Sequence, residues 1–386
     1  SRINDPEIYY PLHVVCCDKC NFIQLNHVVD PVILYQNDYP YEASITRTGA
    51  AHFDEFAGDV VENFSLKKDD LVIDVGSNVG VLLNSFKKRD MRVLGVDPAE
   101  NIADIANKNG IETIADFYSE TLASKILDEY GQAKIITGSN VFAHIEDLKS
   151  FTSATKRLLD DDGVLIIEAP YFVHLLNNLE YDTIYHEHLS YISVSPLVPF
   201  FDSLGMEVFD VQQRDIHGGS IRIFISQQGR REVKPSVAKL LSYESDNEIY
   251  SLDNLKRFAE RVSSHRDELV WLLKSLKRSG KRIAGVSAPA KGMTLLNYCK
   301  IGTETLEFLT EKSTLKIDKF SPGGHIPVLP DEALITEDID YALLLAWNFK
   351  DEIMKNLSEF QAKGGKFIIP VPHPVIVDSS EYQHKV

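Results

Sequence analysis

The stretch Leu71-Val-Ile-Asp-Val-Gly-Ser-Asn-Val-Gly80 narrows the possible folds more than any other part of this chain. An apolar run stops at a glycine-punctuated turn, and helical periodicity begins at once over Val81–Lys88. Glycines let the backbone approach a ligand closely, and the start of a helix leaves its first N–H groups unpaired. Further apolar strands alternate with amphipathic helices, which predicts a mainly parallel sheet in an α/β fold. The predicted strands are Leu71–Val75, Arg92–Val96, Lys134–Thr137 and Val164–Glu168, closed by a hairpin of Glu207–Gln212 and Ser220–Ser226. Residues 233–279 read as helix, after which strands resume at Arg282–Ser287, Leu306–Leu309, Tyr341–Leu345 and Lys366–Pro370.

Length and composition set the frame around that pattern. A chain of 386 residues, 44% hydrophobic and 25% charged, is an ordinary globular mixture with room for two to three domains. Its net charge of −17 repels phosphate backbones, so nucleic acid is excluded as a partner. No apolar run reaches the ~18 residues a membrane helix needs, and no signal-peptide pattern opens the chain, so a cytoplasmic location is expected. Four cysteines do not make a disulfide framework, but Cys16, Cys17 and Cys20 cluster near the start. One C-x-x-C supplies at most half of a four-ligand zinc site.

The glycine loop carries an acid, Asp74, where nicotinamide dinucleotide binders do not, and where S-adenosylmethionine binders typically do. Gly76, Ser77, Asn78 and Gly80 form the rest of the turn. Asp97 ends the next strand 21 residues beyond Gly76, placed to accept both hydroxyls of a ribose, with Pro98 beside it. Asp116 and Phe117 follow the third strand region and are expected to flank the adenine. Asn140 and His144 follow the fourth strand, close to where a reacting centre would lie. A plain strand–helix turn with one capping Asp is the competing reading of the loop.

Tyr185-His-Glu-His188 places four titratable side chains in succession, which are expensive to bury unpaired and useful in a cleft. Glu168-Ala-Pro-Tyr171 closes the strand before it. His217-Gly218-Gly219-Ser220-Ile-Arg222 could form a backbone nest for an anion, or simply a hairpin turn. Ala284 to Gly292 repeats the strand-then-small-residue loop, now with Lys291 after Ala288, and His325 lies in a glycine-containing loop that could close over it. A lysine at a helix start favours an anionic group such as a diphosphate.

With these motifs assembled, the sequence resembles the nucleotide-sugar C-methyltransferases over nearly its whole length. D-x-G-S-N-x-G, E-A-P-Y, D-T-I-Y-H-E-H, H-G-G-S-x-R, A-P-A-K-G and the closing G-G-K-F-I-I-P all look like that family's signatures. The resemblance implies a class I methyltransferase Rossmann-like domain over 51–230 and a second, smaller Rossmann-like domain over 281–386. A helical connector over 231–280 would join them, with a zinc-binding lobe over 1–50. It implies S-adenosylmethionine as methyl donor and a nucleotide sugar as substrate, bound by a monomer or homodimer. His188, Tyr185, Glu187, His144 and Tyr39 fall on active-site positions. Glu168, Tyr171, His217, Gly218, Gly219, Ser220, Arg222, Ala288, Lys291 and His325 are expected at the sugar nucleotide. Cys17 and Cys20 match the second zinc pair. The first pair is absent, so the chain is either truncated at its start or a member without zinc. An O- or N-methyltransferase, a non-catalytic nucleotide-sugar binder and a nicotinamide oxidoreductase are the other readings weighed, the last disfavoured by Asp74.

Overall fold

A computed structural model describes residues 6–36, 39, 47–216 and 218–377; His217 lies outside them. Two compact units are formed. The central unit comprises Leu12–Val173 and His186–Tyr250, and the C-terminal unit comprises Ser1–Pro11, His174–Tyr185 and Ser251–Val386. The expected N-terminal lobe and connector therefore do not stand apart. The connector is two helices, Pro235–Asp246 in the central unit and Leu252–Arg278 in the C-terminal unit. Ser251 separates them: its Oγ accepts from the N–H of Asn254 and starts the second helix afresh.

In the central unit a small sheet joins β1 (Val14–Cys16), β2 (Ile23–Leu25) and β8 (Ser190–Tyr191). The main sheet has seven strands: β3 (Leu71–Val75), β4 (Arg92–Val96), β5 (Thr113–Ile114), β6 (Ala133–Ser139), β7 (Leu159–Pro170), β9 (Met206–Arg214) and β10 (Ser220–Gln227). Their order is β5-β4-β3-β6-β7-β10-β9. The first five pair in parallel, and β10 pairs antiparallel with both β7 and β9. Every residue of β3 is buried, as a strand covered on both faces requires. Strand order reverses between β4 and β6 around β3, and the glycine loop emerges at that switch point, where open α/β sheets bind ligands. One core cluster joins Phe56, Leu83, Phe86, Ile135, Val164 and Phe224, tying the helix Arg47–Asn63 to the sheet.

The C-terminal unit carries β11 (Ile283–Val286), β12 (Leu309–Glu311), β13 (Val328–Pro330), β14 (Tyr341–Leu344), β15 (Lys366–Ile369) and β16 (Val375–Val377). The order β13-β12-β11-β14-β15-β16 is parallel except for β16. Both units thus have the mainly parallel α/β architecture the pattern predicted, in the Rossmann-like form the resemblance implied. One strand is shifted: Leu306, expected at the start of a strand, spends its N–H on the carbonyl of Gly302 in a turn. It is apolar because it is buried in the core, not because it pairs in the sheet.

Candidate active site

The glycine loop holds two carboxylates in different ways. Gly76 and Gly80 adopt φ of 68° and 79°, a region closed to most side chains. A Cβ on Gly76 would come within 2.3 Å of Val141, so the loop and the turn after β6 touch there. Asp97 accepts from the N–H of Asn78 at 2.9 Å and of Ala99 at 3.0 Å, leaving the remaining lone pairs of its two oxygens for a ligand. Burial pushes its carboxyl up, against those two hydrogen bonds. Asp74 is buried deeper, with Oδ1 accepting from Thr137 at 2.6 Å. Burial raises its carboxyl to about 7; the Thr137 bond opposes the rise and the charge of Asp97 adds to it. The hydroxyls of Ser77 and Ser139 are buried without partners beside this loop. Unpaired buried donors next to two carboxylates fit a polar ligand carrying hydroxyls and a cation, as S-adenosylmethionine does.

Pro98 follows Asp97 at the loop edge, and Asn140 sits at φ 57° with its N–H on the carbonyl of Glu168 at 2.7 Å. Asp116 uses Oδ1 to accept the N–H of Phe117 at 2.8 Å, which orders the turn expected at the adenine.

Four of the five expected catalytic side chains belong to the central unit, and the structure brings them together. Tyr39 donates its phenol hydrogen to Glu187 Oε2 at 2.9 Å. The rings of His144 and His188 lie 5.0 Å apart at 32°. The ring of Tyr35 stacks on His144, 6.2 Å away at 13°, and meets Tyr39 edge-on at 5.7 Å. Burial first, and the charge of His188 second, hold His144 well below the ordinary imidazole value. Its Nε2 and the hydroxyl of Tyr35 are buried without hydrogen-bond partners. The cluster therefore sets a histidine whose charged form is disfavoured ring to ring with a second histidine. Tyr185 closes the segment His174–Tyr185 of the C-terminal unit.

The side chains expected at the sugar nucleotide in the central unit have protein partners of their own. Glu168 and Arg222, which face each other in the β7–β10 register, form an ion pair at 2.8 Å and are 1% and 2% exposed. His52 closes on the other oxygen of Glu168 at 2.5 Å, and Arg222 also stacks 3.7 Å over Phe56. Burial alone would raise the Glu168 carboxyl, but His52 and Arg222 hold it below the usual carboxylate range. Tyr171 is likewise buried, with its hydroxyl on Glu244 at 2.9 Å. Ser220 bonds the carbonyl of Ile216, and the carbonyl of Gly219 accepts the N–H of Tyr171. β7 from Gly163 onward and β10 are buried almost continuously, so Glu168 and Arg222 lie inside the sheet layer and pair with each other.

The C-terminal expectations fare similarly. The Lys291 ammonium contacts Asn348 and lies 4.3 Å over the ring of Trp347. Trp347 in turn donates to the fully buried Asp182 at 2.7 Å. Burial lowers the Lys291 ammonium, while the charges of Asp182 and Glu180 support it. Its charge is countered in the protein by those two acids. The N–H of Ala288 bonds Glu311, and His325 pairs with Glu7 at 3.1 Å.

At the start of the chain, Cys17 and Cys20 lie on a tight turn in which Asn21 donates to the Cys17 carbonyl. Backbone N–H groups of Cys20 and Lys19 lower the Cys17 thiol, whereas burial raises that of Cys20. Such a turn suits thiolate ligands. Among the described residues, however, no group of three or more His, Cys, Asp or Glu could hold a metal, so a complete zinc site does not fit them.

Two side chains of these clusters stand outside the expected set. Tyr35 lies in the tyrosine-rich start, which was a usable signal. His52 sits in a helix with ordinary periodicity, and nothing local marks it out.

Three family models match this chain. The family described as "Methyltransferase domain" matches residues 50–211, and "C-methyltransferase C-terminal domain" matches 215–372. The family described as "Putative zinc binding domain" matches 1–35. The C-methyltransferase NovU of Streptomyces niveus is 38% identical over 374 residues, covering 97% of this chain and 89% of that protein. A ubiquinone biosynthesis O-methyltransferase of Bartonella bacilliformis is 27% identical over 97 residues, 25% of this chain and 39% of that one. Among solved structures, magnesium protoporphyrin IX methyltransferase of Synechocystis with bound SAH is similar at a TM-score of 0.38 and 15% identity. It covers 49% of this chain and 90% of that one. With a relative this similar along almost its full length, the chain is a methyltransferase and belongs to the C-methyltransferase family.

Proposed function

We propose that the protein transfers a methyl group from S-adenosylmethionine to a carbon of a nucleotide-linked keto-deoxysugar, at C3 beside a 4-keto group. The observation that carries this reading is the Tyr39–Glu187 bond together with the paired rings of His144 and His188. A carbon nucleophile has to be made by removing a C–H proton, and a ketone on the neighbouring carbon makes that proton acidic. His188 is the base: its ring nitrogen takes the C3 proton, and the electron pair moves onto the C4 oxygen as an enolate. Glu187 balances the imidazolium charge, and Tyr39 holds Glu187 in place.

His144 remains neutral because it is buried next to His188, so it can donate a hydrogen bond to the enolate oxygen without competing for the proton. Tyr185, three residues before His188, is assigned a second hydrogen bond to that oxygen. When bound, S-adenosylmethionine supplies an electrophilic methyl on a sulfonium. Asp97 would hold its ribose hydroxyls, and Asp74 would face its cationic end. A donor carrying a carbon-13 methyl tests the reading. The label should appear on a ring carbon of the sugar by NMR, whereas a label on oxygen or nitrogen overturns it.

A further inference from the structure

Asn101 lies in the first turn of the helix Glu100–Lys108, four residues beyond Asp97. Its side chain does not serve its own helix. Nδ2 donates instead to the backbone carbonyl of Tyr39 at 3.1 Å, across 62 residues of sequence. That carbonyl can only accept, so the orientation of the amide is fixed by its partner. The other amide atom, Oδ1, is buried and has no partner. The ring of Tyr39 packs on Val79, Ala99 and Ile102, residues that flank the glycine loop and open the same helix. At its far end the Tyr39 hydroxyl donates to Glu187. Two hydrogen bonds thus run from the helix behind the ribose carboxylate, through one tyrosine, to the carboxylate beside the base.

We infer that Asn101 is a positioning residue for proton abstraction, acting through Tyr39 on Glu187. The inference rests on the reading above, in which Glu187 and His188 remove the proton. Asn101 fixes the height of the Tyr39 backbone, and so whether its hydroxyl reaches Glu187. Without that bond Tyr39 keeps its apolar packing but loses its register. The step affected is removal of the proton, not capture of the sugar.

The test measures solvent deuterium uptake at the substrate carbon, using a TDP-linked 4-keto-deoxyhexose and no methyl donor. The chain is compared with Asn101→Ala, Tyr39→Phe and the double variant. Losing one neutral hydrogen bond should slow exchange by about fivefold in Asn101→Ala, with KM for the sugar nucleotide within about twofold of the parent. Tyr39→Phe should slow it by at least as much. The double variant should be no slower than Tyr39→Phe alone, because the two groups act in series. Asn101→Asp, which keeps the size and removes the donor, should match Asn101→Ala and serves if the alanine variant folds poorly. Parental exchange rates in both Asn101 variants, or losses that multiply in the double variant, would overturn the inference. Absence of exchange in the parent would overturn the proton-abstraction reading itself, and the inference with it.

Discussion

Replacing Arg222 by methionine tests the structural role of the β7–β10 ion pair most sharply. Arg222 and Glu168 are 2% and 1% exposed and bond at 2.8 Å, so removing the cation strands a carboxylate out of reach of water. Breaking a buried ion pair from one side costs about 3–5 kcal/mol. His52 still reaches Glu168 at 2.5 Å and can share its proton, which argues for the lower end. Loss of the contact with Phe56 at 3.7 Å adds about 1 kcal/mol. A total near 4 kcal/mol lowers Tm by roughly 8–16 °C in a domain of this size. The double variant Glu168→Leu, Arg222→Met removes both charges and should recover at least half of that loss. Thermal unfolding followed by circular dichroism at neutral pH reads both. The Glu168 carboxyl is held below its ordinary value of 4.5, so the pair's contribution is present above that value and fades as pH falls through the lower folded value. An Arg222→Met variant within 2 °C or so of the parent, or a double variant worse than the sum of the singles, would refute this reasoning.

Two other outcomes are expected. Asp74 is raised to about 7, so its favourable contribution is complete below the ordinary value of 3.8 and is lost as pH rises through about 7. Asp74→Asn should flatten that slope in a plot of Tm against pH, and an unchanged slope would contradict the assignment. Glu244 accepts five hydrogen bonds, from the hydroxyls of Tyr171, Ser195 and Tyr250 and from the N–H groups of Val194 and Ser195. A glutamine amide cannot accept at both ends, so Glu244→Gln should cost about 2–4 kcal/mol in denaturant unfolding, and a loss under about 0.5 kcal/mol would exclude the network's importance.

The sequence was most readable where periodicity and spacing carry the signal. The strands Leu71–Val75 and Arg92–Val96 fall where predicted, because a strand buried on both faces has to be continuously apolar. The aromatic and imidazole cluster was foreseeable as a list of residues, but not as a geometry. That Tyr39 bonds Glu187 depends on a contact across 148 residues, which no local pattern encodes. The protein partners of polar residues near motifs were hidden for the same reason. Arg222 and Glu168 look like ligand contacts in sequence, yet strand register turns them toward each other. Lys291 has the local context of an anion site, but its countercharges, Asp182 and Glu180, come from a distant segment. The break at Ser251 was hidden because helical periodicity resumes immediately after it.

The central claim, carbon methylation through proton abstraction by His188, is tested most directly by deuterium wash-in at C3 of the keto-sugar without methyl donor. The parent protein should exchange that proton, and His188→Asn should abolish exchange while still binding the sugar nucleotide. Exchange at the parental rate in His188→Asn would contradict it.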